Sequence, residues 1–302
     1  MLVIETIEEM QAASRALRRS GKTIGLVPTM GALHDGHLSL VRASRATCDA
    51  TVASIFVNPT QFGPNEDLGK YPRTFEADCA ALERESVNLV FAPSVAEMYP
   101  EGACTWVEVE GVGGRLDGAS RPGHLRGVAT VVAKLFHIVG PTRAFFGQKD
   151  AAQLAVLRKM VRDLNFDLEI VGCPIVREAD GLAMSSRNRF LSAEERQRAR
   201  VIGRALRAGS ALVEAGETSV AKLLAAMRAA MAGEAGVRVD YVAVVDPATL
   251  EVIGDVRSGG LLAIAAVVGT TRLIDNVLID VVVPDETSVV RVPEENFFAA
   301  GR

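Results

Sequence analysis

Cysteine is scarce in this 302-residue chain: Cys48, Cys79, Cys104 and Cys173 lie far apart and form no C-x-x-C pair. That spacing excludes a disulfide framework and reads as reduced thiols. No group of His, Cys or carboxylate residues has the spacing of a zinc site. Long apolar runs are missing too. The longest, Leu261 to Val268, is far below the roughly 20 residues of a membrane span. Met1-Leu-Val-Ile-Glu is too short for a signal h-region and soon meets Glu8 and Glu9. Charge excess is small, 33 Lys plus Arg against 37 Asp plus Glu, for a net −4. Such a balance supplies no bulk attraction to nucleic acid or to anionic membrane. There is no Walker A or G-x-G-x-x-G fingerprint, no internal repeat and no low-complexity tract. With 49% hydrophobic and 23% charged residues, a disordered, collagen-like or coiled-coil chain is excluded. The expectation is a cytoplasmic protein of two domains, at the usual size of about 150 residues each.

What is present is an alternation of apolar runs and amphipathic stretches up to about residue 175. Strands are expected at Thr23–Pro28, Ala50–Val57, Asn88–Ala92, Arg143–Gly147 and Asp167–Cys173. Helices are expected from near His37, over Phe75–Glu85, Gly127–Val139 and Ala151–Leu164. Strands apolar on both faces and separated by helices imply right-handed βαβ units and a parallel sheet. Ligands then belong at the carboxyl ends of the strands. After Ser185-Ser-Arg-Asn the order changes. Ser192-Ala-Glu-Glu195 opens a helix running through Arg200 to Ala211, Val220–Met231 follows, and three strands come last. Helices first and strands afterwards suggest a small α+β domain. The domains are therefore set at 1–175 and 176–280, with 281–302, broken by Pro284 and Pro293, as a tail.

Val27-Pro-Thr-Met-Gly-Ala-Leu-His34-Asp-Gly-His37 is the strongest chemical feature: a strand, a Gly-bearing turn, and two histidines three apart at a helix start. Both imidazoles can share one side of the first turn, where free N–H groups and the positive helix end form an anion site. An imidazole there can donate to a phosphate oxygen and offset charge on a leaving group. As an isolated H-x-x-H, the same residues read as solvent-facing cap residues. In Gly147-Gln-Lys149-Asp150, Gly147 permits a tight turn and Lys149 can meet a phosphate, while Asp150 also suits a helix N-cap. Met184-Ser185-Ser186-Arg187 offers hydroxyls and a guanidinium for phosphate oxygens, or else serines that satisfy their own backbone. Arg121-Pro-Gly-His-Leu-Arg is basic, and Asn58-Pro-Thr-Gln61-Phe suits a hydroxylated substrate. Ser185 and Ser186 have no local base, which disfavours a nucleophilic serine. His137, among Leu135, Phe136 and Ile138, reads as a packed helix residue.

In this order, Pro28-Thr-Met-Gly-Ala-Leu-His-Asp-Gly-His37, Phe56-Val-Asn-Pro-Thr-Gln-Phe62, Tyr71-Pro-Arg-Thr74, Arg121–Val128, Phe146-Gly-Gln-Lys-Asp150, Met184-Ser-Ser-Arg-Asn188 and Thr271-Arg-Leu-Ile-Asp-Asn276 carry a resemblance. Over about residues 1–280 the chain resembles the pantoate–β-alanine ligases of coenzyme A biosynthesis, in the HxGH nucleotidyltransferase superfamily. The resemblance implies a homodimer with a Rossmann-like α/β N-terminal domain and a smaller α+β C-terminal lid. It implies that ATP and pantoate form pantoyl adenylate, which β-alanine then attacks to give pantothenate and AMP. Met30, Gly31, Ala32, Leu33, His34, Asp35, Gly36 and His37 would hold ATP, with His37 as proton donor. Gly147, Gln148, Lys149 and Asp150 would bind it too, Lys149 at phosphate and Asp150 at the ribose. Met184, Ser185, Ser186 and Arg187 would close over the phosphates, and Val176 would meet adenine through its backbone. Gln61 and Gln153, with Asn58 and Arg121, would hold pantoate and β-alanine. Asp78 would contact Mg²⁺, although as a bare helix residue it reads as a surface carboxylate. Leu125 stands where the family's pattern has Phe.

Two other readings are open to the same residues. An adenylyltransferase of the superfamily would leave AMP on its product, whereas a ligase frees it. A non-catalytic nucleotide-binding regulator would bind ATP without releasing pyrophosphate.

Overall fold

The computed structural model of the protein describes residues 1–64 and 66–280, so the tail expected at 281–302 lies outside the described residues. It divides into two compact units, Met1–Gly147 with Ala152–Cys173, and Gln148–Ala151 with the residues from Pro174 on.

The first unit runs β1 (Leu2–Ile4), α1 (Ile7–Arg19), β2 (Ile24–Thr29), α2 (Asp35–Thr47), β3 (Ala50–Ile55), α3 (Phe75–Arg84), β4 (Leu89–Phe91), α4 (Val95–Met98), α5 (Asp117–Ser120), α6 (His124–Val139), β5 (Arg143–Gly147), α7 (Ala151–Asp163) and β6 (Glu169–Cys173). All six strands are parallel, in the order β1-β4-β3-β2-β5-β6. β2 and β3 carry the centre because their runs are apolar on both faces, and Ile24, Leu26, Val27, Val52 and Ala53 are fully buried. The chain steps from β2 to β3 to β4 in one direction and to β5 and β6 in the other. The switch point therefore lies between β2 and β5, and ligands belong at its carboxyl end. Val41 of α2, Leu82 of α3 and Phe145 of β5 close a core around Val27 and Val90. Truncating Leu82 to Ala there removes about 2–5 kcal/mol.

Four elements of this unit are absent from the sequence reading: β1, α1 and the four-residue helices α4 and α5. β1 is only three residues long, too short for a periodic signal, and pairs with β4 at the sheet edge. α1 did carry a signal: Thr6 caps it by accepting from the Glu9 N–H at 3.3 Å and donating to the Glu9 carboxylate at 2.7 Å. His137 also departs from expectation. It stands on the exposed side of α6, beside the Phe166 ring at 5.3 Å, and not inside the core. The four cysteines are free, as their spacing implies.

The second unit holds α8 (Ala193–Ala199), α9 (Val201–Glu214), α10 (Val220–Met231) and the antiparallel sheet β7 (Val237–Val245), β8 (Gly260–Val268) and β9 (Thr271–Ile279), with β8 in the middle. The Ser192 capping box forms as read: Ser192 Oγ accepts from the Glu195 N–H, and the Glu195 carboxylate accepts from the Ser192 N–H. The expected single helix is instead broken at Arg200 into α8 and α9. Leu206, Leu223 and Met227 of the helices bury themselves against Leu262 and Ile264 of β8. That contact explains why β8 reads as an unbroken apolar run.

Candidate active site

In the first unit, β2 ends at Thr29 and the chain must turn sharply before α2 begins. Thr29 Oγ1 donates to the Ser54 carbonyl at 2.7 Å and accepts from the Gly31 N–H at 3.1 Å. Gly31 (φ 80°) and Ala32 (φ 52°) then take two consecutive left-handed conformations. Glycine meets the first without strain, and a Cβ there would stand 3.0 Å from the Asp78 carboxylate. Ala32 needs outside support. Asp78, only 3% exposed, supplies it: its two oxygens accept the N–H groups of Ala32 at 2.9 Å and Leu33 at 2.8 Å. The Thr74 hydroxyl adds a third bond at 3.1 Å. The reading of Asp78 as a surface carboxylate is thus corrected, because both of its oxygens are occupied by the loop.

The turn delivers His34 to the N-cap of α2 and His37 to its first turn, with ring centroids 4.1 Å apart. The helix begins at Asp35, slightly ahead of expectation. The His34 N–H donates to His37 Nδ1 at 3.4 Å. A neutral His37 that accepts at Nδ1 carries its proton on Nε2.

Asn58 and Gln61 lie just past β3, on a 3₁₀ turn over Pro59–Gln61. Asn58 is 1% exposed and its amide is fully engaged. Its oxygen accepts from the Thr60 N–H, the Thr60 hydroxyl and the Tyr99 hydroxyl, the last two at 2.8 and 2.9 Å. Its nitrogen donates to Gln61 Oε1 at 3.0 Å and to the Gly127 carbonyl at 3.1 Å. Asn58 thereby orients Gln61, with both of its amide hydrogens used within the chain. With Oε1 taken, Gln61 turns its Nε2 donors toward Met30, whose sulfur is 3.0 Å away. Gly127 permits this arrangement, since a Cβ there would meet the Thr60 carbonyl oxygen at 2.3 Å. Two motifs far apart in sequence, Asn58–Phe62 and Arg121–Val128, thus form one structure.

Arg121 is also engaged: its Nε and Nη2 donate to the two oxygens of Glu66 at 2.7 and 2.6 Å, a bidentate pair along one edge of the guanidinium. Burial alone would raise the Glu66 carboxyl, but the Arg121 bonds outweigh it and hold it below the usual range. His124 donates from Nδ1 to the Gln61 carbonyl at 2.8 Å. Burial and the adjacent Arg121 charge push the His124 imidazole down to about 4, so it is neutral near pH 7. Burial raises the Tyr99 phenol, keeping it protonated as the donor to Asn58. Gln153 is half-buried in the first turn of α7. Leu125, in the place of the family's Phe, is buried with its Cδ1 turned toward Gly118 of α5. Gly147 is not forced by its turn: its φ is not positive, and a Cβ there would meet open space.

The second unit carries the remaining cations and hydroxyls. Gln148–Asp150 form a 3₁₀ turn whose Lys149 side chain is 19% exposed, with Nζ 3.7 Å from the half-exposed Asp150. Ser185 caps the Ser186–Phe190 turn, its hydroxyl accepting the Arg187 N–H at 3.3 Å. Ser186 is buried, and Arg187 and Met184 are half-buried. The Val176 carbonyl accepts from the Met184 N–H at 2.9 Å. Lys149 and Ser185 line one small crevice with Asn188 and Asp275. Two separately read motifs therefore meet within this unit.

The family model for "Pantoate-beta-alanine ligase" matches residues 2–278. The chain belongs to the pantoate–β-alanine ligase family. A pantothenate synthetase from Acidobacterium capsulatum is 68% identical over 286 residues, covering 91% of this chain and 96% of that one. One from Koribacter versatilis is 59% identical, covering 92% and 96%. The crystal structure of the Thermus thermophilus pantothenate synthetase superposes with a TM-score of 0.87 at 49% identity, covering 91% of this chain and 98% of that one. The Francisella tularensis pantoate–β-alanine ligase, solved as a complex with β,γ-ATP and β-alanine, gives 0.76 at 32% identity, covering 92% and 97%. This pantoate–β-alanine ligase is an enzyme of ATP-dependent pantothenate synthesis. Reasoning from sequence missed Glu66 and Tyr99 and gave Thr74, quoted only within a motif, no role; they hold Arg121, Asn58 and Asp78 in turn. Glu66 lies 55 residues from Arg121 and Tyr99 41 from Asn58, so no local spacing marks either. Thr74 did carry a signal, standing four residues ahead of Asp78 at the start of α3.

Proposed function

We propose that His37, His34, Lys149, Ser185, Ser186 and Arg187 serve the adenylation of pantoate, and that Gln61 and Gln153 hold pantoate for it. A pantoate carboxylate oxygen attacks the α-phosphorus of ATP, and the bond to the β-phosphate bridging oxygen breaks, releasing pyrophosphate. The amine of β-alanine then attacks the acyl carbon of the mixed anhydride. It loses a proton as AMP departs, leaving the amide of pantothenate. Charge accumulates on phosphate oxygens in both steps, and preorganised donors lower both barriers. The observation that supports this reading best is the α2 start: the first helix N–H groups and the His37 imidazole, whose Nδ1 accepts the His34 N–H, lie together after β2. Met30 to His37 form the ATP loop, and Gln148, Lys149, Asp150, Val176 and Met184 complete the nucleotide contacts. Gln61 presents donors, which suits the hydroxyl and carboxylate oxygens of pantoate.

Mg²⁺ enters in this reading with the triphosphate, as part of the substrate. Asp78 does not fit a metal, because its oxygens hold Ala32, Leu33 and Thr74. Among the described residues no three His, Cys, Asp or Glu side chains stand together as a metal shell. No step is therefore routed through a protein-bound ion. The second unit is proposed as the lid that keeps water from the acyl adenylate, which would otherwise hydrolyse.

A homodimer is supported by Cys104–Glu110, which carries Trp106, Glu108 and Glu110 exposed and Val107 and Val109 half-buried, outside any strand. Sedimentation of the Trp106→Glu protein should give a lighter species if this segment joins two copies; an unchanged dimer would locate the interface elsewhere. No helix among the described residues is long and apolar enough to cross a membrane, and we place the enzyme in the cytoplasm with neither nucleic acid nor membrane as partner.

Pyrophosphate release with ATP, Mg²⁺ and pantoate, before and after β-alanine is added, tests the scheme. A single-turnover burst that becomes steady turnover with free AMP supports it. AMP retained on the product would indicate a transferase, and ATP binding without pyrophosphate release a regulator.

A further inference from the structure

β9 places two polar residues side by side between the apolar pairs Leu273-Ile274 and Val277-Leu278, Asp275 at 5% and Asn276 at 2% exposure. A buried polar group persists only with partners, and these two have many. The Asn276 side-chain nitrogen donates to two consecutive carbonyls, those of Gln148 at 3.0 Å and Lys149 at 2.9 Å. Its oxygen accepts from the Gln148 side chain at 3.4 Å. Asp275 accepts the Asn276 N–H at 2.8 Å and forms a buried, bidentate pair with Arg177 at 2.7 and 3.1 Å. The same guanidinium donates to the Gly181 carbonyl at 3.2 Å, at the start of the loop that carries Ser185 to Arg187. One short piece of β9 thus grips both the Lys149 turn and the Gly181–Asn188 loop, and Asp275 and Lys149 line the same crevice.

We propose that Asn276 is a positioning residue for Lys149: its two amide N–H groups fix the Gln148–Lys149 backbone and so aim the ammonium at the phosphates during adenylation. The proposal rests on the reading of Lys149 given above. A 3₁₀ turn has poorer hydrogen-bond geometry than an α-helix, the adjacent Asp150 stands 3.7 Å from the Lys149 Nζ, and the Asn276 amide adds a hold on the backbone from distant chain. Fixing the backbone fixes the root from which the ammonium extends, and a misplacement of about 1 Å at a reacting centre can lower the rate about 10²-fold. An aspartate at 276 would keep the shape and the acceptor but lose both donors, and would set a carboxylate against two carbonyl oxygens.

The test is a double-mutant cycle read by single-turnover pyrophosphate release with ATP and pantoate, using Asn276→Asp, Asn276→Ala, Lys149→Ala and the double variants, each checked by thermal melting. A positioning role predicts that each Asn276 variant slows adenylation about 10- to 100-fold, and that neither slows it further when Lys149 is already Ala. Such non-additivity marks residues that act through one another, whereas a purely structural defect adds to the Lys149 loss. Additive losses, or unimpaired adenylation in a folded Asn276 variant, overturn the proposal. Unimpaired adenylation by Lys149→Ala would instead overturn the reading of Lys149 itself.

Discussion

The N–H of Ala32, in a left-handed backbone conformation, donates to the carboxylate of Asp78 at 2.9 Å. A residue 46 positions away on α3 thereby holds the strained turn that carries both histidines to the start of α2. The loop that carries His34 and His37 thus depends on a helix distant in sequence.

Replacing Asp78 with Asn should therefore act on the loop and not on a metal. One amide N–H would face a backbone N–H, leaving a buried donor unsatisfied at a loss of about 1–3 kcal/mol. The melting temperature and the rate of pyrophosphate release should both fall, while the Mg²⁺ concentration for half-maximal activity stays unchanged. A raised Mg²⁺ requirement would restore Asp78 as a metal contact.

His37→Ala should slow adenylation by at least about 10²-fold, the usual loss for a proton donor or charge-stabilising group. Thermal stability should change little, because the side chain is half-buried at a helix start. Pyrophosphate release at the unmodified rate would remove His37 from the mechanism.

Tyr99→Phe deletes one of three donors to the Asn58 oxygen and leaves the other two. The expected loss is about 1 kcal/mol of stability, with a several-fold rise in the KM for pantoate as Gln61 loosens. The KM for ATP should hold. Equal changes in both constants would argue against an effect carried through Gln61.

Stability should fall with acid through His124. Its folded value of about 4 lies below the ordinary 6.5, so between those values the unfolded chain binds more protons. The contribution is complete above about 6.5 and is lost progressively as the pH drops toward 4. His124→Asn keeps a donor for the Gln61 carbonyl and removes the titration. Its melting temperature should vary less over that window than that of the unmodified protein; an identical pH profile would mean that other groups govern the acid limb.

Local signals in the sequence decided most of the secondary structure and one half of the site. Apolar runs on both faces specified β2, β3 and β8, the Ser192–Glu195 spacing specified the start of α8, and the strand–turn–helix pattern specified that His34 and His37 stand at the start of α2, because each of these depends on residues within a turn or two. The motif series was enough to mark the family. Pairing across the fold decided the rest. That Asp78 is buried, that Asn58 serves Gln61, that Glu66 holds Arg121 and that Asn276 grips the Lys149 turn all rest on burial and hydrogen bonds that join separate segments of the chain. A side chain's local neighbours give its chemical type, but burial and partners come from distant chain, and for a polar group those determine whether it is free to meet a substrate or committed to holding another residue in place.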